Sequence, residues 1–440
     1  MRKNSRRENG KNNRAPHVHL NLNVRGMEQS ATLAINDLSN RLRKEGKQVY
    51  RLGLGQSPFP VPAPVVEELR TNAWRKDYLP VRGLYELRQA VADYHRRAHH
   101  VPRAAENVLI GPGSKELMFL LQLVYYGDLV IPTPAWVSYA PQARIIGRLV
   151  HMLPTHQRNC WKLMPDQLEA FCRKDTDRPR IVVLNYPSNP TGCTYTMAEL
   201  KALAKVAAEH EVVLLSDEIY GELHHRGQHV SVARFYPEGT IISSGLSKWC
   251  GAGGWRLGTF TFPASLRWLL DAMATAASET YTSTSAPIQY AAVRAFTGGM
   301  TIEKYLRYSR RVLSALGRAI AQRLGDAGVR VKPPEGAFYL FPDFSPFEAR
   351  LRAMGISTSG EMCRRLLDDT GVAILPGTEF GRPSDELTAR LAYVDFDGAR
   401  ALSAAEAIPL EKPLDNGFLD AYCGGVLAAI DRLSEWLEPS

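Results

Sequence analysis

Residues 107–262 predict an α/β protein built on a large, mostly parallel sheet, and three observations carry the prediction. Seven short apolar runs follow one another there: NVLIG, DLVIP, RLVHML, RIVVLN, EVVLLS, TIISS and RLGTFTF. They are continuously apolar rather than alternating, the pattern of strands covered on both faces. Amphipathic stretches such as MAELKALAKVAAEH lie between several of them, as the crossover helices of parallel strands do.

The other elements flank this region. SATLAINDLSNRLRKEG (30–46) reads as a helix with Ser30 as cap, Ala34, Leu38 and Leu42 on one face, and Gly46 as its stop. LGLGQSPFPVPAP is a Gly/Pro-rich loop, and helical spacing resumes near Val65. A long helical pattern spans about 302–325. GAFYLFPDF then alternates like a half-exposed strand, SGEMCRRLLDDTG is helical, and LTARLAYV is a further strand. FLDAYCGGVLAAIDRLSEWLE closes the chain as a helix, and residues 395–417 before it read as an irregular insertion. The expected organisation is a disordered basic tail (1–26), a first part of a small α+β domain (27–61), a large domain (62–310) and the rest of the small domain (311–440).

At 440 residues the chain has room for two domains, and 45% hydrophobic with 22% charged residues is an ordinary globular composition. The longest apolar run, LMFLLQLVYY, is too short for a membrane span and reads as a buried helix. The net charge is +9, but residues 1–25 alone hold seven Lys or Arg against one Glu. The basicity therefore belongs to the tail and speaks against a nucleic-acid surface on the folded body. With no apolar segment behind it, the tail does not read as a secretory signal. Cys160, Cys172, Cys193, Cys250, Cys363 and Cys423 form no C-x-x-C pair, which argues for reduced thiols in a cytoplasmic protein. His224, His225 and His229 in HHRGQH lack the helical spacing of metal ligands, and no metal is expected.

The carboxyl ends of the predicted strands are unusually polar, and in open α/β sheets function collects there. NVLI runs into GPGSKE, where Gly113, Ser114 and Lys115 open an apolar helix whose free N–H groups suit a phosphate. Ser114 there also reads as an ordinary N-cap. RIVVL ends in NYPSNPTG with Asn185 and Asn189. EVVLL ends in SDEIY, where a buried Asp217 needs a positive partner. TIIS ends in SGLSK, which brings Ser247 and Lys248 to the same edge, and Arg256 follows in GAGGWRLG. One ligand uses an anion site, an amide, an acid and a lysine together: pyridoxal phosphate, whose aldehyde takes the lysine and whose ring nitrogen takes the acid. Arg256 would be a bidentate phosphate partner.

Taken in order, YLPVRGLYELRQAVADY, PTPAWVSY, NYPSNPTG, SDEIYGEL, SKWCGAGGWRLG, GAFYLFPDF and ARLAYV resemble the motifs of the class I/II aminotransferases, which are fold-type I pyridoxal-phosphate enzymes. The resemblance runs from about residue 28 to 394 and returns in the last helix. It implies transfer of an amino group between an L-amino acid and a 2-oxo acid in a ping-pong cycle. It further implies that Lys248 carries the cofactor aldehyde and Asp217 partners the ring nitrogen. Asn189 and Tyr220 would bond the ring's phenolic oxygen, and Trp136 would stack on its face. Gly113, Ser114, Lys115, Ser247 and Arg256 would surround the phosphate, joined by Tyr78 from the other subunit of a homodimer. Arg390 would clamp the substrate carboxylate, with Gly55 and Asn189 beside it. The sequence departs from the family at GQSPFP, where many members have an acidic GEPDF loop, and at the 395–417 insertion.

The same fold also supports β-elimination and C–S lysis, so a lyase is the alternative activity. Regulators that fuse this fold to a DNA-binding module need a winged helix, which some 26 polar residues do not supply. Because MEQSATLAINDLSNRLRKEG already holds the first helix, a chain starting at Met27 is expected to fold, dimerise and transfer amino groups like the full chain. It should also be retained far less on a cation exchanger. Loss of activity or of the dimer on truncation would make the tail structural.

Overall fold

A computed structural model of the chain describes residues 19–438. Its strands are β1 (Tyr50–Arg51), β2 (Val108–Gly111), β3 (Asp128–Thr133), β4 (Val150–Pro154), β5 (Arg180–Asn185), β6 (Val213–Asp217), β7 (Thr240–Gly245), β8 (Gly258–Thr261), β9 (Tyr339–Leu340), β10 (Val372–Ala373), β11 (Leu375–Pro376) and β12 (Ala389–Ala392). The seven apolar runs become the seven-stranded sheet β2-β8-β7-β6-β5-β3-β4. Only β8 runs antiparallel to its neighbours. Successive strand residues point to opposite faces. Leu129, Ile131, Ile181, Val183, Val213 and Leu215 therefore pack under the helices Ser114–Val124 and Arg267–Ser278, while Val130, Val182, Leu184 and Leu214 pack under Pro165–Cys172 and Met197–Glu209. The exception is β4, an edge strand with Met152 exposed.

Beyond this sheet, β9, β11 and β12 form an antiparallel sheet in the order β11-β12-β9, and β1 pairs with β10 in parallel. That pairing joins residues 50–51 to the C-terminal third of the chain. The long helix Met300–Asp326 packs against the terminal helix Asn416–Leu437, which Asp415 caps by accepting the N–H of Phe418 at 3.0 Å. Thr358 and Glu361 form a reciprocal capping box at the start of helix Ser359–Thr370.

Several local expectations are corrected. Ser30 occupies the N-cap position of helix Ala31–Lys44, but its hydroxyl meets Thr32 Oγ1 at 3.1 Å instead of capping. GAFYLFPDF is not half exposed: Ala337 to Phe341 are all buried, because β9 pairs with β12 in the small sheet and the Tyr220 ring packs edge-on against Phe338 and Tyr339. Residues 21–26 form a turn, and Asn23 Nδ2 donates to Ile145 O at 3.2 Å, where a disordered tail is expected up to residue 26. Residues 1–18 of that tail lie outside the described residues.

The insertion is not irregular. Asp397 accepts the N–H groups of Ala399 and Arg400 and starts a helix, Gly398–Glu406, that buries Ala401, Leu402 and Ala405 against the long helix. Arg311 gathers the carbonyls that follow, Ile408 O at 2.7 Å and Pro409 O at 2.9 Å. The insertion also touches the other departure from the family pattern. Phe59 of GQSPFP packs edge-on against Phe396 at 6.1 Å, and a Cβ at Gly398 would stand 2.1 Å from Pro58 O. Gly398→Ala should therefore cost about 1–3 kcal/mol in urea unfolding. Gly424→Ala, where a Cβ meets nothing within 4 Å, should be neutral or stabilising. Equal effects would mean that the insertion does not press on the loop.

Candidate active site

Strands β2, β5, β6 and β7 end along one edge of the sheet, so the polar residues that follow them converge. A cavity of about 210 Å³ opens there, lined by Ser114, Lys115, Trp136, Asn185, Asn189, Asp217, Ile219, Tyr220, Ser247, Lys248 and Arg256. All but Ile219 are residues the sequence singles out. Gly113, Gly55 and Arg390 adjoin this lining, whereas Tyr78 stands apart, 89% exposed.

Asp217 closes the deep end. It is buried at the last position of β6, accepts a short hydrogen bond from Tyr139 Oη and takes Ser243 Oγ at 3.3 Å. Burial nevertheless pushes its carboxyl up to about 6, against the pull of those donors. Among the described residues no cation forms an ion pair with it. Asn185 serves the backbone: its Nδ2 donates to Asp217 O at 2.9 Å and its Oδ1 accepts the Asn189 N–H at 2.7 Å.

Lys248 stands in the middle. Its Nζ donates to Gly55 O at 2.8 Å and lies 5.6 Å from the Tyr220 ring centroid. Burial, with Arg390 and Arg256 nearby, lowers its pKa to about 8, so the neutral amine is accessible near neutral pH. Tyr220 Oη is held by Tyr339 Oη at 2.7 Å.

The opposite end is positive. Gly113, not Ser114, is the N-cap of the helix Ser114–Val124; its φ of +99° is open to glycine, and a Cβ there would meet Arg256 Nη2 at 2.3 Å. Arg256 donates to Gly253 O at 2.9 Å, and Lys115 lies 5.7 Å from the Trp136 ring centroid. Burial and the Arg256 charge both lower the Lys115 pKa. Neither cation has a carboxylate partner among the described residues. This end suits an anion.

Arg390 is 1% exposed, yet no described carboxylate pairs with it. It donates to Gly53 O and to Asn189 Oδ1, the latter at 3.2 Å, and its Nε is buried without a partner. The rings of Tyr339 and Phe380 lie 4.9 and 5.0 Å from the guanidinium. Tyr139, Tyr339 and the Gly53 carbonyl are the functional neighbours that sequence reasoning misses. Both tyrosines lie inside quoted motifs, PTPAWVSY and GAFYLFPDF, but nothing local marks which residue they serve. The histidines of HHRGQH diverge: His225 bonds Pro334 O and Ala337 O, and His229 bonds Glu218 at 2.9 Å.

Comparison with known proteins gives one consistent answer. The family model described as aminotransferase class I and II matches residues 47–397. An aspartate aminotransferase from Bacillus subtilis is 31% identical over 379 residues, covering 84% of this chain and 93% of its own. An asparagine–oxo-acid transaminase from Streptococcus mutans is 31% identical, covering 85% and 94%. The structure of Thermus thermophilus aspartate aminotransferase with maleate superposes with a TM-score of 0.81 at 28% identity, over 95% of this chain and all of that one. A lysine, a buried acid and an unpaired buried arginine around one cavity thus sit in a chain that belongs to the class I and II aminotransferase family.

Proposed function

We propose that this aminotransferase works with pyridoxal phosphate in the cavity around Lys248, as a homodimer whose subunits complete each other's sites. The observation that carries the reading is one cavity lined by both Lys248 and a buried Asp217 that forms no ion pair among the described residues. The donor set fits the cofactor at both ends: Asp217 matches a protonated ring nitrogen, and Gly113, Ser114, Lys115, Ser247 and Arg256 match a phosphate. When bound, the cofactor supplies an aldehyde for the amino group and a ring that accepts the electrons of a broken Cα–H bond.

The protein's residues do the rest. Asp217, held by Tyr139, keeps the proton on the ring nitrogen and is itself relieved of an uncompensated buried charge. Lys248 moves the proton at the substrate Cα, for which an amine titrating near 8 is suited. Asn189 has its carbonyl oxygen committed to Arg390 and so presents its Nδ2 to the ring's phenolic oxygen, where Tyr220 donates beside it. Trp136 covers the ring. Arg390 takes the substrate α-carboxylate, the anion its burial calls for. Tyr78, 89% exposed in the single chain, would reach the phosphate site of a partner subunit. Aspartate and asparagine are the first donors to assay, since relatives carry those names. Keto-acid-dependent transfer without ammonia release distinguishes this activity from a lyase.

Lys248→Ala should abolish transfer and remove the visible absorbance of lysine-bound cofactor, while the protein still folds. Normal turnover in that variant would sink the assignment. Arg390→Ala should cost carboxylate-bearing substrates about 2–5 kcal/mol in kcat/KM, and amines without a carboxylate much less. Equal losses for both classes would argue against the clamp.

A further inference from the structure

Behind the Asn189 loop lies a pair of cysteines that the amino-transfer chemistry does not use. Cys160 sits in the connection between β4 and helix Pro165–Cys172, and Cys193 ends the NYPSNPTGC loop. Both cysteines line the same two small cavities. Lys332 Nζ donates to Cys160 Sγ at 3.2 Å, and Cys193 Sγ donates to Thr191 O at 3.7 Å. Cys160 is partly exposed and Cys193 is buried beneath it. A cavity of about 30 Å³ is lined by both cysteines and by Ser188 and Asn189. The link to the active site is direct, because Cys193 O accepts the Ser188 N–H at 2.9 Å and so closes the loop that presents Asn189 to Arg390.

We propose that Cys160 and Cys193 are an oxidation-sensitive pair that a hydroperoxide closes to a disulfide, pulling on the Asn189 loop and slowing amino transfer. Cys160 is the attacking member. The neighbouring Cys193 and the Lys332 ammonium hold its thiol well below the ordinary range despite burial, while Cys193 stays protonated. The other cysteines are poor candidates: burial pushes Cys250 and Cys423 up to about 12 and raises Cys172 and Cys363.

The chemistry balances with the peroxide as oxidant. Cys160 sulfur attacks the terminal peroxide oxygen, the O–O bond breaks, and the hydroxide released takes a proton to become water. The sulfur, oxidised by two electrons, is then a sulfenic acid. Cys193 sulfur attacks it, the S–S bond forms, and the departing hydroxide leaves with the Cys193 proton as a second water. Two thiols and one hydrogen peroxide give one disulfide and two waters.

The test uses the cofactor-loaded enzyme, hydrogen peroxide as probe, alkylation of the remaining thiols and peptide mass analysis. A linked 160–193 peptide should accumulate in step with loss of transfer activity, and dithiothreitol should reverse both. Cys160→Ser and Cys193→Ser should keep their activity under the same treatment. Lys332→Met should slow alkylation of Cys160 roughly tenfold at neutral pH. The proposal is overturned if no linked peptide forms, if Cys160 goes to sulfinic acid unlinked, if linkage leaves activity unchanged, or if Cys160→Ser is inactivated as fast as wild type. The effect on turnover rests on the proposed role of Asn189, but the linked peptide is read by mass alone. Failure of the aminotransferase reading would therefore leave that arm intact.

Discussion

Charges buried without protein counter-charges govern this molecule. Asp217 and Arg390 are each almost fully enclosed, and neither forms an ion pair among the described residues. An isolated buried ion costs several kcal/mol of desolvation. The fold meets part of that cost with neutral partners: Tyr139 and Ser243 for the acid, and Gly53 O, Asn189 and two aromatic faces for the guanidinium. What is left over is a standing demand for a cation at one place and an anion at the other. A pyridinium and an amino-acid carboxylate would satisfy both at once.

The same economy explains why segments far apart in the chain must meet at this edge of the sheet. Gly55 O holds Lys248, Gly53 O holds Arg390, and Tyr339 holds Tyr220. The backbone at 53–55 is kept in place by β1 pairing with β10 and by the bond from Ala392 N to Leu52 O at 2.8 Å. The loop that follows leans on the 395–417 insertion through Phe59 and Phe396. The insertion is thus a brace behind the loop that carries Gly55 and Phe59, and a change in either would be felt by the other.

The apolar runs reveal the large sheet because each is a local signal: both faces of these strands are covered, so the side chains must be apolar whatever the strand order. The strand-end residues are legible for a related reason. Polar residues at or within a few positions of the end of a buried strand stand out, as Asp217, Lys248 and Ser114 do. Short or sandwiched elements mislead. The helix Gly398–Glu406 is only nine residues of mostly alanine and polar side chains, stabilised by Asp397 and by packing on the long helix rather than by its own pattern. The strand at Tyr339 alternates as though half exposed because its second face is covered by Tyr220, not by solvent.

By itself, then, the sequence determines the α/β class, the seven strands of the large sheet and the polar residues that meet at its edge, since these follow from periodicity and from residue types at strand ends. Only the tertiary structure decides the reversed direction of β8, the tyrosines that steady Asp217 and Tyr220, and the meeting of Cys160 with Cys193. It also decides that Arg390 reaches Asn189 across 201 residues and that Lys248 reaches Gly55 across 193. Such contacts depend on how the three sheets and the long helices pack against one another. No local pattern encodes that packing, because each partner is an ordinary residue until the fold brings the other within hydrogen-bonding distance.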